Sequence, residues 1–420
     1  MKIAYYVNCV SNGGAEKVAA RLTEIWHSLG HEIVLLTTNP SGANEYSHYC
    51  VDRAYIPYTL ITRKKAENIC KVYNLDVLVF NDSINDENFT RTFEAFRAIE
   101  GLKIAVIIHH TSNNWLYTLG NTQELMLDAL MARMDAVVCV DKMWALWWYH
   151  RGARSFYVQN PISVSIAPKD KKTTDERLIV WVGRLKDWAK QPDKMVSAFV
   201  EVCGRVPDVR LIMLGTKDSL AERNLMKTVP IRIRNKIELR GFVPNVADYM
   251  SRASLHVFTS LTEVTIPQVV LESQTLGVPT IAIDMPVLRG VQGVVLARDE
   301  KELADMVVDF MSDSDKLCSL AKETRMAASQ NDDCIEGKWR AIFKGMQAES
   351  AGMDSLSKNM MHEWCSQEEY SKLFDELHRA NVFFVKRYLP DLLLFRKWRT
   401  RMNVKYILTK ITERIFGRRK

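Results

Sequence analysis

The chain has 420 residues and a mass of 48.3 kDa, with 47% hydrophobic and 25% charged residues. This composition predicts a globular protein of about two to three domains and excludes a fibrous repeat, a disordered chain and a disulfide-built miniprotein. The net charge of +7 is concentrated in residues 386–420, which carry twelve basic and two acidic side chains. That segment contributes +10 and leaves −3 for residues 1–385. The bulk of the chain therefore has no general affinity for polyanions.

The eight cysteines are scattered without a Cys-x-x-Cys pair, and the nine histidines have no metal-ligand spacing. This usage predicts reduced thiols in a cytoplasmic protein and no metal site. The apolar run at the N-terminus breaks at Asn8 with no cleavage site after it, so we expect a buried first strand rather than a signal peptide. No run reaches the roughly 18 apolar residues that a transmembrane helix needs.

Short apolar runs alternate with amphipathic helical stretches, the pattern of βα units around parallel sheets. The first predicted strand covers residues 3–10. A turn at Gly13 and Gly14 follows it, and then a helix with one apolar face that Gly30 would end. Further strands are predicted at 31–38, 76–80, 103–108, 136–140 and 155–158.

A polar, proline-containing stretch at 161–177 predicts an interdomain linker. A second βα series follows, with strands predicted at 178–183, 210–214, 237–241, 255–258 and 279–283. Residues 313–346 are predicted to be helical, and the polar residues 349–358 to form a loop. We therefore expect an α/β protein with two doubly wound Rossmann-like domains that face a cleft. The predicted domains are 1–162 and 163–345, followed by a helical basic extension, 346–420.

Two places in this pattern suit an anionic ligand. Gly13 and Gly14 lie between a strand and a helix N-terminus, where the backbone can approach a phosphate, although a plain turn explains them equally well. Arg184 and Lys190 follow the first strand of the second series, where doubly wound domains bind ligands. Arginine grips phosphate with a planar fork and lysine adds a point charge. By spacing alone, two solvated loop charges are the simpler interpretation.

A third candidate site surrounds a predicted helix that Pro267 would begin and Gly277 would end. Free amides at Thr265 and Ile266 would point at an anion. Glu272, one turn inside the helix, would present a carboxylate suited to a ribose diol. Glu263 and Glu272 are equally explained as solvated charges on this spacing.

Taken in order, these residues resemble glycosyltransferase family 4. The resemblance rests on Gly-Gly-Ala-Glu at 13–16, Gly-Arg-Leu at 183–185 with Lys190, the two glutamates, and Leu-Gly-Val-Pro at 276–279. It covers roughly residues 1–345, and its specific part is 181–283. It implies a retaining enzyme of the GT-B fold. Such an enzyme would move a sugar from a nucleotide-sugar donor to a glycan or lipid-linked acceptor in surface polysaccharide or glycoconjugate synthesis.

The resemblance also implies roles in the second half of the chain. Arg184 and Lys190 match the pair that binds the donor diphosphate and stabilises the leaving phosphate. Glu272 matches the glutamate that binds ribose, and Glu263 the one that contacts the transferred sugar. The backbone of Val243 matches the position that contacts the base.

In the first half, the resemblance places the loop amides of Gly13 and Gly14 near the diphosphate. A histidine that contacts the sugar would be His109 or His110, and one of the two faces the cleft because side chains alternate along a strand. No metal or other cofactor is expected, and a uridine diphosphate donor is the working guess.

Two spacings depart from the pattern of that family. Eight residues separate Glu263 from Glu272, where the family has seven, so that Val264 stands in the expected place. Either the chain bulges by one residue before Pro267, or Glu263 has lost the usual role. Arg184 and Lys190 are also one residue further apart than is common.

Residues 404–415 predict a basic amphipathic helix that binds an anionic membrane surface, so a peripheral location on the cytoplasmic face is expected. The alternative is a surface helix packed on the domains. The aromatic cluster 144–149 is interpreted as core packing in preference to a sugar or lipid site. Two other functions stay open: a nucleotide-sugar epimerase, and a nucleic-acid-binding protein that uses the tail. No nucleic-acid partner is expected, because no recognition motif is present.

Overall fold

The computed structural model describes residues 1–7, 14–37, 50–55, 61–81, 87–109, 127, 129–162, 177–186, 188–215, 218–243, 245–261, 263, 265–328, 332–348 and 350–364. Residues 1–361 form one compact unit. Gly13, His110, Val264, the linker residues 163–176 and the basic tail from 365 onward lie outside the described residues. The predictions made for them stay predictions.

The first half of the chain forms a seven-stranded sheet in which every neighbouring pair is parallel. The strand order is β3-β2-β1-β4-β5-β6-β7. The strands are β1 (Lys2–Val7), β2 (Glu32–Thr37), β3 (Cys50–Tyr55), β4 (Val77–Asn81), β5 (Lys103–Ile108), β6 (Ala136–Cys139) and β7 (Ser155–Tyr157).

The second half forms a six-stranded parallel sheet with the order β10-β9-β8-β11-β12-β13. Its strands are β8 (Arg177–Val182), β9 (Val209–Leu214), β10 (Ile237–Gly241), β11 (Leu255–Phe258), β12 (Thr280–Ile283) and β13 (Val294–Ala297). The prediction of two doubly wound sheets is confirmed.

Twelve α-helices connect and cover the strands within the described residues. They are α1 (Gly14–Ser28), α2 (Arg63–Tyr73), α3 (Glu87–Arg97), α4 (Lys142–His150), α5 (Pro192–Arg205), α6 (Ser219–Lys227), α7 (Ala247–Met250), α8 (Gln268–Thr275), α9 (Glu300–Ser312), α10 (Ser314–Ala328), α11 (Asp332–Gln347) and α12 (Ser350–Trp364). Gly30 and Gly277 adopt positive φ angles of 83° and 65°, as expected of glycines that end helices. None of these helices is both long enough and apolar enough to span a bilayer.

Each sheet has an edge strand that the apolar pattern did not predict. The sequence of β3, Cys-Val-Asp-Arg-Ala-Tyr, has no continuous apolar run, and β3 pairs only with β2. β13 is four residues long and pairs only with β12. Edge strands have one hydrogen-bonded neighbour and are short or polar more often than central strands, which weakens their sequence signal.

The core of the first sheet includes side chains from the far end of the described chain. Trp26 on α1 packs against Trp339 and Phe343 of α11, with ring centroids 4.9 and 5.4 Å apart. Met353 and Met360 of α12 are buried in the same cluster. The prediction of helix at 313–346 is confirmed, whereas that of a loop at 349–358 is wrong. Its polar composition hid two buried methionines seven residues apart, which share one face of a helix.

The aromatic cluster on α4 is packed as expected. Trp144 and Trp148 are buried and stacked, with centroids 5.6 Å apart. Trp147 is half-buried beneath the Arg151 guanidinium, 4.1 Å from its ring centroid. The interpretation as core packing is therefore confirmed for Trp144 and Trp148.

In both sheets the strand order reverses at a central strand. In the second sheet the chain runs outward from β8 through β9 to β10 and then returns to the other side of β8 as β11. In the first sheet the same reversal separates β1 from β4. The connections diverge at these points and leave a crevice at the carboxyl ends of the strands, where open α/β sheets bind ligands.

Candidate functional site

The crevice of the second sheet begins where β8 ends. Gly183 follows the strand directly, and a Cβ atom there would lie 2.7 Å from the Trp181 ring, so only glycine fits. Arg184 comes next and is exposed. The chain then forms a short 3-10 helix, Trp188–Lys190, which ends at Lys190. Both predicted cations thus follow the strand on the ligand-binding side of the switch point.

Thr259, the first residue after β11, holds this 3-10 helix in place. Its hydroxyl accepts a hydrogen bond from Trp181 Nε1 at 2.9 Å and shares its one proton between the carbonyl oxygens of Lys190 at 2.9 Å and Gln191 at 3.1 Å. The Leu261 amide donates to the Ala189 carbonyl oxygen at 2.7 Å. The loops after β8 and β11 therefore form one hydrogen-bonded unit.

Gln191 joins this unit to α5. It is buried and has a left-handed backbone, with φ 48° and ψ 56°, immediately before Pro192 begins the helix. A left-handed conformation is uncommon for a residue other than glycine and is maintained by surrounding contacts. Here, the hydrogen bond from Thr259 to the Gln191 carbonyl oxygen supplies such a contact.

Lys190 and Glu263 are brought together as an ion pair, with Lys190 Nζ bound to Glu263 Oε1. Their side chains are 22% and 16% exposed, so the pair is partly shielded from solvent. Lys190 Nζ also lies 5.9 Å from the centre of the Phe258 ring. Glu263 therefore points toward the predicted diphosphate cation and not into solvent.

Glu272 lies on α8 and is nearly enclosed, with 6% of its side chain exposed. The sequence predicted Pro267 in the first turn of this helix. In the structure Pro267 immediately precedes the helix and has an extended backbone, with φ −60° and ψ 142°. Thr265 and Ile266 form a half-buried bend before it, and the described residues supply no hydrogen-bond acceptor for their amides. Lys17 Nζ approaches Glu272 Oε1 at 3.3 Å.

Lys17 belongs to α1 in the first half of the chain, so this pair joins residues 255 positions apart. A carboxylate as buried as that of Glu272 requires a charged or hydrogen-bonding partner, because burial removes its hydration. Lys17 was not predicted as a site residue. The one feature of the sequence that could have indicated it is the position of this lysine, directly after Gly-Gly-Ala-Glu at 13–16.

Glycines line the carboxyl ends of β8, β9 and β10. The Gly183 amide donates to the Leu214 carbonyl oxygen at 2.9 Å, and the Gly215 amide to the Gly241 carbonyl oxygen at 2.8 Å. A Cβ on Gly215 would come within 1.8 Å of the Gly183 carbonyl oxygen. Val243 follows this row, half-buried. The absence of a side chain at Gly215 thus allows the chain ends of β8 and β9 to pack closely, next to the place where the sequence predicted base contact.

At the corresponding edge of the first sheet, three neutral side chains form one hydrogen-bonded cluster. Tyr5 on β1 donates its hydroxyl proton to Asn81 Oδ1 at 2.7 Å, and His109 Nε2 lies 2.9 Å from the same oxygen. With Asn81 Oδ1 as acceptor, Nε2 carries a proton and donates. His109 follows β5 directly and is half-buried at the end of the sheet. Gly14 is the first residue of α1, at the same edge.

Among the described residues, no three histidine, cysteine, aspartate or glutamate side chains are grouped as metal ligands would be.

The sequence analysis missed three residues of the candidate site: Thr259, Asn81 and Lys17. Thr259 and Asn81 stand at the carboxyl ends of strands, so the rule that selected Arg184 could have selected them too. The partner of Lys17 was not accessible to any local pattern.

Comparison with known proteins gives a partial family match. Residues 176–313 match the family described as "Glycosyl transferases group 1". The chain is also 26% identical over 241 residues to an exopolysaccharide phosphotransferase of Streptomyces coelicolor, which covers 53% of this chain and 24% of that relative. The chain thus spans about a quarter of the length of the curated relative that it matches.

Solved structures resemble nearly the whole described chain. HepE of Anabaena in complex with UDP has a TM-score of 0.68 at 14% identity, with 82% of this chain and 100% of that chain covered. A glycosyltransferase of Rickettsia africae has a TM-score of 0.67 at 15% identity, with coverages of 83% and 99%. TarM of S. aureus in a complex with UDP has a TM-score of 0.66 at 10% identity, with coverages of 81% and 99%. The chain therefore has the GT-B fold, and its residues 176–313 match the Glycosyl transferases group 1 family.

Proposed function

We propose that this protein is a retaining glycosyltransferase that moves a sugar from a nucleotide-sugar donor to a glycan or lipid-linked acceptor. The observation that carries the proposal is the convergence at the second switch point. The loop after β8 supplies Arg184 and Lys190, the loop after β11 supplies Glu263, and α8 supplies Glu272. Cations for a diphosphate and carboxylates for sugar hydroxyls are the groups that a nucleotide sugar needs.

In this proposal the main chemical task is to stabilise the leaving group. Departure of a nucleoside diphosphate places negative charge on its outer phosphate, and preorganised cations lower the energy of that charge in the transition state. Arg184 and Lys190 would carry this role, assisted by the amides of Thr265 and Ile266. Glu272 would accept hydrogen bonds from the ribose, and Glu263 from the transferred sugar, with Lys190 orienting its carboxylate.

The first half would bind the acceptor and close over the donor. His109, whose Nε2 is held by Asn81, would contact a sugar hydroxyl. The loop amides of Gly13 and Gly14 would lie near the diphosphate. The cations of the site would take the place of a metal ion, so we expect turnover to be unchanged by EDTA.

Uridine diphosphate sugars are the proposed donors, since HepE and TarM are described in complexes with UDP. The direct test is to titrate the protein with a panel of nucleoside diphosphates and nucleotide sugars and to record the melting temperature. Stabilisation by UDP and one UDP-sugar, with no response to the matching GDP compounds, is the expected result. A protein that responds to no nucleotide in the panel contradicts the proposal.

One observation favours a second candidate. The Streptomyces coelicolor relative is named a phosphotransferase, so transfer of a sugar phosphate has to be distinguished from transfer of a sugar. The nucleotide released decides between them: sugar transfer leaves UDP, whereas sugar-phosphate transfer leaves UMP. An epimerase would instead convert the donor sugar without any acceptor. Chromatography of the products with and without acceptor separates the three reactions.

We also propose that residues 404–420 attach the protein to an anionic membrane surface. The apolar stripe of this segment would enter the interface, and each nearby lysine or arginine contributes about 1 kcal/mol at such a surface. Removal of 404–420 is expected to abolish co-sedimentation with phosphatidylserine vesicles and to leave nucleotide binding intact. Unchanged sedimentation together with a lower melting temperature contradicts this attachment.

A further inference from the structure

A basic surface lies at the amino end of the second sheet. It is formed by the end of α6 and by the short 3-10 helix that precedes β10, and its members are Lys227, Ile231, Arg232, Arg234 and Lys236. We propose that this basic surface binds the anionic headgroups of a phospholipid membrane, with the Ile231 side chain in the interface. The inference extends the membrane attachment proposed for residues 404–420 to a second part of the chain, and it does not depend on the transfer reaction.

The first argument concerns charge. Residues 223–240 carry six basic side chains and one acidic side chain, a net charge of +5, whereas residues 1–385 as a whole carry −3. The acidic residue, Glu238, is ion-paired with Arg240. Within the part of the chain that the structure describes, none of the four cations of the basic surface forms an ion pair. Their positive charge therefore suits a surface that carries negative charges.

The second argument concerns how the cations are held. Ile233 is buried in the core of the second sheet and fixes the 3-10 helix there. Arg234 Nε donates to the Val229 carbonyl oxygen at 3.0 Å. Lys236 Nζ donates to the Pro207 carbonyl oxygen, in the loop before β9. These hydrogen bonds restrict the two side chains without neutralising them, so less conformational freedom is lost when the basic surface binds.

The third argument concerns the apolar residue. Ile231 is 82% exposed at the start of the 3-10 helix, and Lys227 and Arg232 beside it in the chain are exposed too. An isoleucine adds to binding only where its partner removes it from water. Basic side chains around an apolar one are typical of surfaces that lie among lipid headgroups. A nucleic acid is less suitable, because the basic surface has no aromatic side chain on which a base could stack.

The fourth argument concerns position. Helix α6 follows β9 and ends at Lys227, so its last turn lies at the amino end of the sheet. The 3-10 helix directly precedes β10 and lies at the same end. The proposed donor site lies at the carboxyl ends of the strands. Contact between the basic surface and a membrane would therefore not cover the nucleotide.

The basic surface is too small to attach the protein by itself. One membrane signal gives marginal and reversible binding, and stable attachment takes two. The apolar stripe of 404–420 would supply one signal and the basic surface the other. Loss of the stripe is expected to abolish attachment, and loss of part of the basic surface to weaken it.

The test measures co-sedimentation of the full chain with vesicles of phosphatidylserine and phosphatidylcholine in equal amounts. Lys227→Gln combined with Arg232→Gln is expected to lower the vesicle affinity about thirtyfold, which corresponds to about 2 kcal/mol for two charges at an anionic surface. Lys301→Gln combined with Lys322→Gln is the matched control. It removes two charges from exposed lysines of α9 and α10, outside the basic surface, and is expected to leave the affinity unchanged.

A second set of variants tests the entry of the isoleucine. Ile231→Ser is expected to lower the vesicle affinity about tenfold, and Ile231→Trp to restore it, because tryptophan favours the membrane interface. Leu220→Ser is the control, since Leu220 is 63% exposed at the opposite end of α6. The variants of the basic surface change exposed side chains, so their melting temperatures and their affinities for UDP are expected to match those of the unaltered protein.

Several results overturn the inference. Equal losses in the double charge variant and in its control would assign the binding to net charge in general. A loss in the charge variant with none in Ile231→Ser would overturn the assignment to lipid, because an acidic protein or a nucleic acid would bind in the same way.

The truncation that removes 404–420 distinguishes the two proposed attachments. Weaker binding after truncation, together with unchanged binding by every variant of the basic surface, overturns this inference alone. The reverse result contradicts the attachment through 404–420 and supports the basic surface. A full chain that sediments with no anionic vesicle overturns both.

Discussion

The two sheets present chemically different edges to a ligand. At the carboxyl edge of the second sheet the functional groups are charged, with Lys190 paired to Glu263 and Glu272 paired to Lys17. At the carboxyl edge of the first sheet, Tyr5 and His109 share one neutral acceptor, Asn81 Oδ1. In the proposed arrangement the same strand topology would support two kinds of recognition. Charge suits a diphosphate, and neutral hydrogen bonds suit the hydroxyls of a sugar, which carry no charge to attract.

The largest expected effect tests the cations of the charged edge. Arg184→Ala and Lys190→Ala are each expected to lower turnover by about 3 kcal/mol, or about a hundredfold, because each removes a charge aimed at the leaving phosphate. Lys194→Ala is the control. The Lys194 side chain is 18% exposed and its Nζ lies 3.5 Å from Glu300 Oε1, but it belongs to α5. Near-normal turnover in the double variant of Arg184 and Lys190 would contradict the diphosphate assignment.

The next effect concerns the carboxylate of α8. Glu272→Gln keeps the size of the side chain and removes its charge, so donor affinity is expected to fall by about 1.5–3 kcal/mol. Glu300→Gln, on the outer helix α9, is expected to leave affinity unchanged. Calorimetry with UDP measures both. An equal response of the two variants would mean that charge in general, and not Glu272, supports the nucleotide.

The third effect tests the rigidity of the charged edge. Thr259→Val keeps the shape of the side chain but leaves the buried Trp181 indole N–H without its acceptor, which is expected to cost about 1–3 kcal/mol of unfolding free energy. Turnover is expected to fall as well, since Lys190 loses its support. Thr228→Val is the control, because Thr228 is an exposed residue whose hydroxyl donates only to the nearby Leu225 carbonyl oxygen, which water can reach after the substitution. Urea unfolding distinguishes the two variants.

A fourth effect concerns the pH dependence that the buried His256 gives to the stability of the second half. His256 on β11 is fully buried, with Nδ1 3.0 Å from Thr280 Oγ1, and burial lowers its pKa to about 3. The folded state thus keeps His256 neutral, while the unfolded state binds a proton below its ordinary pKa of about 6.5. The contribution of neutral His256 to the unfolding free energy is therefore fully present above about pH 6.5. It is lost as the pH falls from about 6.5 toward the pKa of the folded state. Between pH 7 and pH 5.5 the loss of unfolding free energy is about 1 kcal/mol.

His256→Asn removes this titration, so the variant is expected to lack that part of the pH dependence in urea unfolding. Its stability at neutral pH can differ for other reasons, which makes the difference between the two pH values the informative quantity. An identical difference in the unaltered protein and the variant would assign the acid loss to other groups.

The smallest effect tests the neutral edge. Tyr5→Phe removes one hydroxyl from the Asn81 network, with an expected cost of about 1 kcal/mol in unfolding free energy. Affinity for UDP is expected to stay unchanged, because the Tyr5 hydroxyl has no contact with the nucleotide in the proposed arrangement. Weaker UDP binding by Tyr5→Phe would mean that the neutral cluster of the first sheet also supports the nucleotide, against the proposed division between the edges.

The parts of the fold that the sequence predicted well are those with a strong periodic signal. The central strands are continuous apolar runs because parallel strands are buried on both faces, and their order along the chain was predicted correctly. Helix α12 was missed because its polar residues outnumber the buried Met353 and Met360. The edge strands β3 and β13 were missed because a strand with one hydrogen-bonded neighbour can be short or polar, which weakens its apolar signal.

The candidate site divides in the same way. Lys190 could be selected because it follows a predicted strand at the end where ligands bind, and Glu272 because it lies one turn inside a predicted helix. Their partners could not all be foreseen. Lys17 meets Glu272 across 255 residues, and Trp181 meets Thr259 across 78. Such contacts depend on how whole elements pack, which no local pattern encodes.

The return of α11 and α12 to the first sheet has a consequence for how the protein is made. Residues 335–360 complete a core whose other members lie between positions 3 and 158. When synthesis has reached residue 162, every strand of the first sheet has been translated. The aromatic side chains of α11 that cover Trp26 have not. Domains usually fold in the order of their synthesis. Here the half that is translated first has to wait for the second half to be synthesised, so a fragment ending at 162 would expose the surface that Trp339 and Phe343 bury.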